Sequence, residues 1–350
     1  MSQPITICSP HSWNYADSYG LIACQLARHM TELGAYVNCT GLGKVQFDSQ
    51  PADVQAITAQ PVIPADGAIF LGWPTTFASH SNLSQQGKRI AVTMFESTKL
   101  PAGWVDILNT MDAVIVPAKF CKTIFQDNGV TVPIHVIPLG VSEVYQPAER
   151  DHTRKPMRFL AFLDRGARKG GDIALKAFQQ AFGNDPNYRL ILKARRRAEE
   201  IHLFPVGNVE VIHADMSEAE LCELYQSCDV LIAPTRGEGF GLLPREFAAT
   251  GGLALATNWG GTADDIDRWG WSLPYDLVPA DWSGQPGLEG QDLGKWALPR
   301  IDELVTMLQY VVSHKEFIAD ASCCLAPLPV HKLYSWRKFA EQVYAIWQGN

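Results

Sequence analysis

Apolar runs of four to seven residues recur along the chain, separated by polar turns and by segments with helical spacing. Residues 5–8, 37–40, 68–73, 89–95, 113–117 and 134–138 are such runs, and each reads as a buried strand. Between the first two, Ile22, Leu26, Met30 and Leu33 keep the period of a helix that Gly34 closes. Helices are also predicted over 101–111, where Pro101 starts one, and over 120–128, where Gly129 stops one. The segment 45–66 is weakly patterned. Residues 140–147 read as a connector and the polar run 149–156 as a boundary.

The rhythm then restarts. Strands are predicted over 157–163, 189–193, 209–212, 230–233 and 253–256, with helices over 172–182, from Ser217 onward, over 243–250 and over 300–314. Residues 272–299 are rich in Trp, Gly, Pro and Asp and read as a long loop region. A last amphipathic helix covers 335–348, with Trp336, Phe339, Val343 and Ile346 on one face. Strand–helix alternation of this kind predicts an α/β chain with parallel sheets. Two successive sheets predict two Rossmann-like domains facing a central cleft, over 1–150 and 151–330, with residues 331–350 as a helix crossing back to the first. Ligands of such sheets bind beyond the carboxyl ends of the strands, which singles out the loops 9–20, 95–99, 164–171, 213–216 and 236–242.

Composition narrows the picture. The chain has 350 residues, more than one ordinary core requires, and 47% hydrophobic content. With mean hydropathy near zero, it reads as soluble and globular. No apolar run approaches the roughly 20 residues of a membrane span, and no basic stretch followed by a long apolar core opens the chain, so a cytoplasmic location is expected. The eight cysteines are scattered without CxxC pairs, which argues for reduced thiols and against a zinc cluster. A formal net charge of −8 argues against a general polyanion-binding surface. The ten tryptophans suit sugar stacking, although packing is the commoner use of each. The first strand is not followed by GxGxxG, which weighs against a dinucleotide oxidoreductase.

The strongest local signal is the stretch 233–265, APTRGEGFGLLPREFAATGGLALATNWGGTADD. Glycine lets backbone amides approach a ligand closely, and the amides of residues 239–242 stand where a helix begins, a place that favours an anion or hydroxyl-rich group. Glu238 lies in that loop and Glu246 eight residues on. Two carboxylates so spaced suit the two hydroxyl-bearing ends of one elongated ligand better than a shared proton. The D-x-D triplet Asp265-Ile266-Asp267 would place its carboxylates on different sides of a helix, so no metal is expected.

These residues resemble the retaining, nucleotide-sugar-dependent glycosyltransferases of family 4, which have the GT-B fold. The run from Glu238 to Glu246 is similar to the family's E-x7-E element, Arg165 and Lys169-Gly170 to its phosphate-binding Arg…Lys-Gly pair, and CDVLIAPT to the strand before it. FESTKLPAGWVDILNTMDAVIVPAKFCKTIF with VIPLGVSEVYQP is similar to a branch carrying Phe-Glu where others carry His. The resemblance implies a nucleoside-diphosphate sugar of UDP or GDP type as donor and no required cofactor. It implies that Arg165 and Lys169 hold the diphosphate and that Glu246 holds the ribose. Glu238, with the backbone of Phe240, Gly241 and Leu242, would hold the sugar and phosphate. Gly20 would give close approach in the first loop, and the backbone around Asp215 and Met216 would meet the base. His11, Trp13, Glu96 and Ser97 are the acceptor-side candidates. Ser18-Tyr19-Gly20 replaces the family's usual glycine pair, and Glu96 replaces its usual histidine.

The expected acceptor is a glycan or cell-envelope precursor, with peripheral membrane contact compatible. A nucleic acid carrying a modified base is the alternative acceptor. A sugar-nucleotide-binding protein without transferase activity and a UDP-sugar epimerase are the rival readings.

Overall fold

The computed structural model describes residues 4–10, 13–42, 44–80, 87–151, 153–163, 167–194, 207–316, 318 and 327–349. Its contacts divide the chain into two compact units, one of residues 1–95, 100–140 and 334–350, the other of residues 96–99 and 141–333.

The first unit is built on β1 (Ile5–Ser9), α1 (Ser18–Glu32), β2 (Val37–Gly41), α2 (Ala52–Thr58), β3 (Gly67–Leu71), β4 (Lys88–Val92), α3 (Trp104–Leu108), β5 (Ala113–Val116), α4 (Lys119–Asp127) and β6 (Ile134–Val136). Its sheet runs β2-β1-β3-β4-β5-β6, and every pairing is parallel. The central strands are continuous apolar runs because both faces are covered, as parallel sheets require; all of β1 and β3 is buried. Asp17 caps α1 by accepting from the amides of Tyr19 and Gly20.

The second unit comprises β7 (Met157–Leu163), α5 (Gly171–Phe182), β8 (Tyr188–Ala194), β9 (Val209–His213), α6 (Glu218–Gln226), β10 (Val230–Ala233), α7 (Leu242–Ala249), β11 (Leu253–Thr257), β12 (Gly270–Leu273), β13 (Tyr275–Pro279), β14 (Lys295–Pro299), α8 (Ile301–Ser313) and α9 (Pro327–Leu333). Its parallel sheet runs β12-β11-β10-β7-β8-β9. Phe159, Phe178, Phe182 and Tyr188 form an aromatic cluster on one face, with Phe182 stacked on Tyr188 at 4.2 Å. A reciprocal capping box starts α6: Ser217 accepts from the Glu220 amide, and the Glu220 carboxylate accepts from the Ser217 amide. The last helix, α10 (Trp336–Gln348), returns to the first unit and packs on α1. Lys88 Nζ fastens its carboxyl end by donating to the carbonyls of Ile346 at 2.7 Å and Trp347 at 2.8 Å, where the helix dipole also favours a cation.

Three expectations need correction. Residues 45–66 contain α2, which buries Val54, Ile57 and Thr58; seven residues are too few to show a convincing helical period. The helix expected over 101–111 is only Trp104–Leu108, because Gly103 before it has φ 78°. Residues 272–299 are not simply loop, since they hold the end of β12 and an antiparallel hairpin of β13 and β14. The hairpin escapes pattern reading because it is a two-stranded ribbon, its strands separated by a long polar insertion, with Leu277 and Leu298 facing solvent. Among the described residues, no helix is long and apolar enough to cross a membrane. The six described cysteines are free.

Candidate functional site

Of the candidate residues of the second unit, Lys169, Glu238, Phe240, Gly241, Leu242 and Glu246 gather where β7 and β10 end. The chain leaves β10 through Pro234 and Thr235 into the loop 236–241, and α7 begins at once. Gly241 supplies the turn, with φ 83° and no room for a Cβ, which would meet the Thr262 side chain at 2.7 Å. After β7, the loop reaches Arg168, Lys169 and Gly170 before α5 begins. Arg165 lies outside the described residues.

Lys169 Nζ donates to Glu238 Oε1 at 2.8 Å. Arg168 donates through Nη1 to the Gly237 carbonyl at 2.9 Å and lies 3.6 Å from both Glu238 Oε2 and Glu96 Oε1. These two cations and two carboxylates form one compact array. The Glu96 carboxyl is raised by burial; Arg168 opposes this and the charge of Glu238 adds to it. Arg236 braces the array from behind. Its amide donates to the Arg168 carbonyl at 2.7 Å, and its guanidinium grips Asp172 at 3.0 and 2.7 Å and also bonds the Ala167 carbonyl. Asp172 is pushed up by burial, but the Arg236 hydrogen bonds and charge prevail and hold it below the usual carboxylate range.

The hairpin missed in the sequence has a local purpose. The Ala297 amide of β14 donates to the Arg236 carbonyl at 2.9 Å. The segment 96–99 is bound to the same region: Thr98 N donates to the Lys295 carbonyl at 2.9 Å, Lys295 N donates to Thr98 Oγ1 at 2.8 Å, and Lys99 pairs with Asp292 at 2.7 Å. Glu96, read as an acceptor-side residue, therefore stands beside Arg168 in the second unit. Ser97 is wholly buried, and its Oγ has no partner among the described residues.

Glu246 lies on α7, buried at 4% exposure, and accepts from the Tyr225 hydroxyl at 3.1 Å. Burial pushes its carboxyl up to about 8, the charge of Glu218 adds to this, and the Tyr225 bond and the charge of Lys169 oppose it. Lys169 thus acts on both Glu238 and Glu246. Phe240 is buried beneath the loop, while Leu242, the first residue of α7, is half-buried. Asp215 is exposed and Met216 half-buried in the turn between β9 and α6.

A second glycine loop, 260–262, is fastened to the first. Gly261 N donates to the Glu238 carbonyl at 2.7 Å. The Arg245 guanidinium lies between the loops and bonds the carbonyls of Phe240, Gly241 at 3.3 Å and Gly261 at 3.1 Å, and Asp265 Oδ1 at 2.5 Å. Arg168, Arg236, Arg245 and Tyr225 are not among the site residues expected from the sequence, and Asp265 entered only through the D-x-D triplet. The one usable signal was Arg245, a charge beside Glu246 in a short helix otherwise made of apolar residues.

In the first unit, Gly20 is buried, and a Cβ there would overlap the Asn14 carbonyl, so only glycine fits. Trp13 is wholly buried at φ 56°, and its Nε1 donates to the Thr40 carbonyl at 2.9 Å, so its indole offers no open face. His11 lies outside the described residues. No group of three or more His, Cys, Asp or Glu that could hold a metal occurs among the described residues; Asp265 of the D-x-D triplet is committed to Arg245.

Residues 157–281 match the family model described as "Glycosyl transferases group 1". A curated relative, "Putative glycosyltransferase 45" of Sulfolobus islandicus filamentous virus, is 25% identical over 162 residues, 45% of this chain and 44% of that protein. The chain therefore spans less than half the length of this relative. Among solved structures, sucrose-phosphate synthase from Thermosynechococcus elongatus is similar with TM-score 0.72 and 16% identity, over 99% of both chains. A UDP-forming α,α-trehalose-phosphate synthase from Burkholderia xenovorans is similar with TM-score 0.65 and 10% identity, over 99% of both chains. At these identities the likeness concerns the fold, and the chain has the GT-B fold of two Rossmann-like α/β domains.

Proposed function

We propose that the chain is a retaining hexosyltransferase that moves a sugar from a nucleoside-diphosphate sugar to an acceptor hydroxyl. The observation that carries this reading is the Lys169–Glu238 ion pair, with Arg168 alongside and Glu246 within the field of Lys169, on loops at the carboxyl ends of β7 and β10. Breaking the bond between the anomeric carbon and the phosphate oxygen leaves negative charge on the diphosphate. Positioned guanidinium and ammonium groups lower that barrier because their attraction grows as the charge develops. Lys169 and Arg165 serve in this role. Glu238 exchanges its bond to Lys169 for the sugar hydroxyls, and the backbone at Phe240, Gly241 and Leu242 meets the phosphate. Glu246 holds the ribose, and the turn at Asp215 and Met216 meets the base. The acceptor oxygen bonds the anomeric carbon on the face the phosphate leaves, and the departing phosphate oxygen takes the acceptor's proton. No metal or further cofactor enters the scheme. The donor is of UDP or GDP type; the acceptor is a glycan or cell-envelope precursor, met in the cytoplasm or in peripheral contact with a membrane.

A thermal-shift panel of nucleotide sugars tests the reading, since a ligand at 100 times its dissociation constant stabilises by about 2.7 kcal/mol. One donor class is expected to raise the melting temperature and to release nucleoside diphosphate slowly without acceptor. Stabilisation without release identifies a binding protein, interconversion of the sugar identifies an epimerase, and no response to any donor refutes the proposal.

A further inference from the structure

Arg245 is a buried cation at a place that disfavours positive charge. Its side chain is 1% exposed, and it lies on the first turns of α7, where the helix dipole disfavours a cation. Burial pulls its proton affinity down, against the charge of Asp265. The fold compensates at both Nη atoms and on the faces of the guanidinium. Three backbone carbonyls and Asp265 accept its hydrogen bonds. Its guanidinium carbon lies 4.1 Å from the Phe240 ring centroid and 4.9 Å from that of Trp269. Trp269 Nε1 in turn donates to Asp265 Oδ1 at 3.0 Å, fixing the carboxylate that receives the arginine.

The choice of carbonyls is informative. In a trans peptide, the carbonyl and the next residue's N–H lie in one plane and point in opposite directions. A guanidinium holding the carbonyls of Phe240, Gly241 and Gly261 therefore turns the N–H groups of Gly241, Leu242 and Thr262 away from itself. Two of these belong to the first glycine loop and one to the second. The Glu238 carbonyl, bonded by Gly261 N, joins the same two loops beside the carboxylate paired with Lys169. A hydrophobic residue at 245 would fill the space without setting the direction of any peptide plane.

We infer that Arg245, held by Asp265 and Trp269, is a positioning residue that locks the two glycine loops together and aims the amides of Gly241, Leu242 and Thr262 at the anionic part of the donor. This rests on the functional reading above and extends it to a residue that does not touch the ligand. Lysine is not an equivalent, because one ammonium cannot span carbonyls from two loops with the fixed fork of a guanidinium.

The test compares the wild type with Arg245→Lys and the milder Trp269→Phe, which keeps a ring over the guanidinium but removes the bond to Asp265. Two readouts are needed. In ligand-free protein, hydrogen exchange should accelerate in segments 237–242 and 260–262 together, while β7 and β8 keep their protection. In steady-state transfer with UDP- and GDP-sugars, the donor KM should rise about tenfold in Arg245→Lys and severalfold in Trp269→Phe, with the acceptor KM unchanged, a split that general loosening would not produce. Unchanged exchange in the two loops, or an unchanged donor KM in Trp269→Phe, overturns the inference. If Arg245→Lys fails to fold, Trp269→Phe decides alone. Wild-type protein that uses no donor defeats the functional reading instead, and the exchange data still decide whether Arg245 couples the loops.

Discussion

Two buried arginines hold the two ends of α7, and they do so for different reasons. Arg150 serves the carboxyl end. It donates to the carbonyls of Cys228 at 3.0 Å, Tyr225 at 3.2 Å and Thr250, and to Thr250 Oγ1 at 2.8 Å, with Phe247 beneath it at 5.8 Å. Those carbonyls end α6 and α7, where orphan acceptors and the negative end of the dipole both call for a cation. No carboxylate is bonded to it in this set, and burial brings its proton affinity down to about 10. Arg245 sits at the amino end, where the same dipole opposes it, and it has a carboxylate partner. One arginine completes a helix terminus. The other is tolerated only through elaborate compensation, and it organises the loops nearest Lys169 and Glu238. On the proposed function, stability and ligand geometry are separated along one short helix that also carries Glu246.

The comparison breaks most readily at Arg150. Arg150→Met should leave several buried acceptors unsatisfied and cost about 3 to 5 kcal/mol in urea denaturation. At temperatures where the variant remains folded, its donor affinity should stay within about twofold of wild type. A large affinity loss in folded Arg150→Met would erase the distinction between the two ends.

Glu246 sharpens it through pH. Its carboxyl is near 8 in the fold against 4.5 ordinarily. Between those values the unfolded chain has released a proton that the folded chain keeps, so this group's contribution to stability is full below about 4.5 and is lost as pH rises through about 8. Glu246→Gln has no such dependence. Its melting temperature relative to wild type should climb steadily from pH 5 to pH 8, and a constant difference would contradict the assignment.

Smaller effects mark contacts away from α7. Lys88→Met removes both bonds to the carboxyl end of α10 and should cost about 1 to 2 kcal/mol. Ser217→Ala opens the capping box of α6, the helix that carries Tyr225, and should cost about 1 kcal/mol. Neither variant should alter the donor KM, as steady-state kinetics can check.

The same helix shows what the sequence could reveal. Strand ends, glycine loops and the Glu238–Glu246 spacing were legible because they are local: an apolar run, a turn and a helix start lie within twenty residues. The partners of Arg245 and Arg150 were not. Asp265 is twenty residues from Arg245, and Thr250 is a hundred from Arg150; neither pairing follows from a period. Glu96 was placed by its position in the chain, whereas the hydrogen bonds of the nearby Thr98 to Lys295 of β14, and an arginine from a distant loop, bring it to the second unit. The hairpin behind those bonds looked like loop because its strands contribute few buried side chains. Trp13 looked fit for stacking, yet its indole fills the core of the first unit.

On the proposed function, the amino end of α7 and the loop before α5 hold a nucleotide sugar. The most direct test is calorimetric titration of the wild type and of Lys169→Met with a panel of UDP- and GDP-sugars. We expect saturable binding of one donor class to the wild type and binding at least about tenfold weaker to Lys169→Met, as the loss of a charge-assisted contact to phosphate implies. Equal binding by both proteins, or binding of no donor by the wild type, would contradict it.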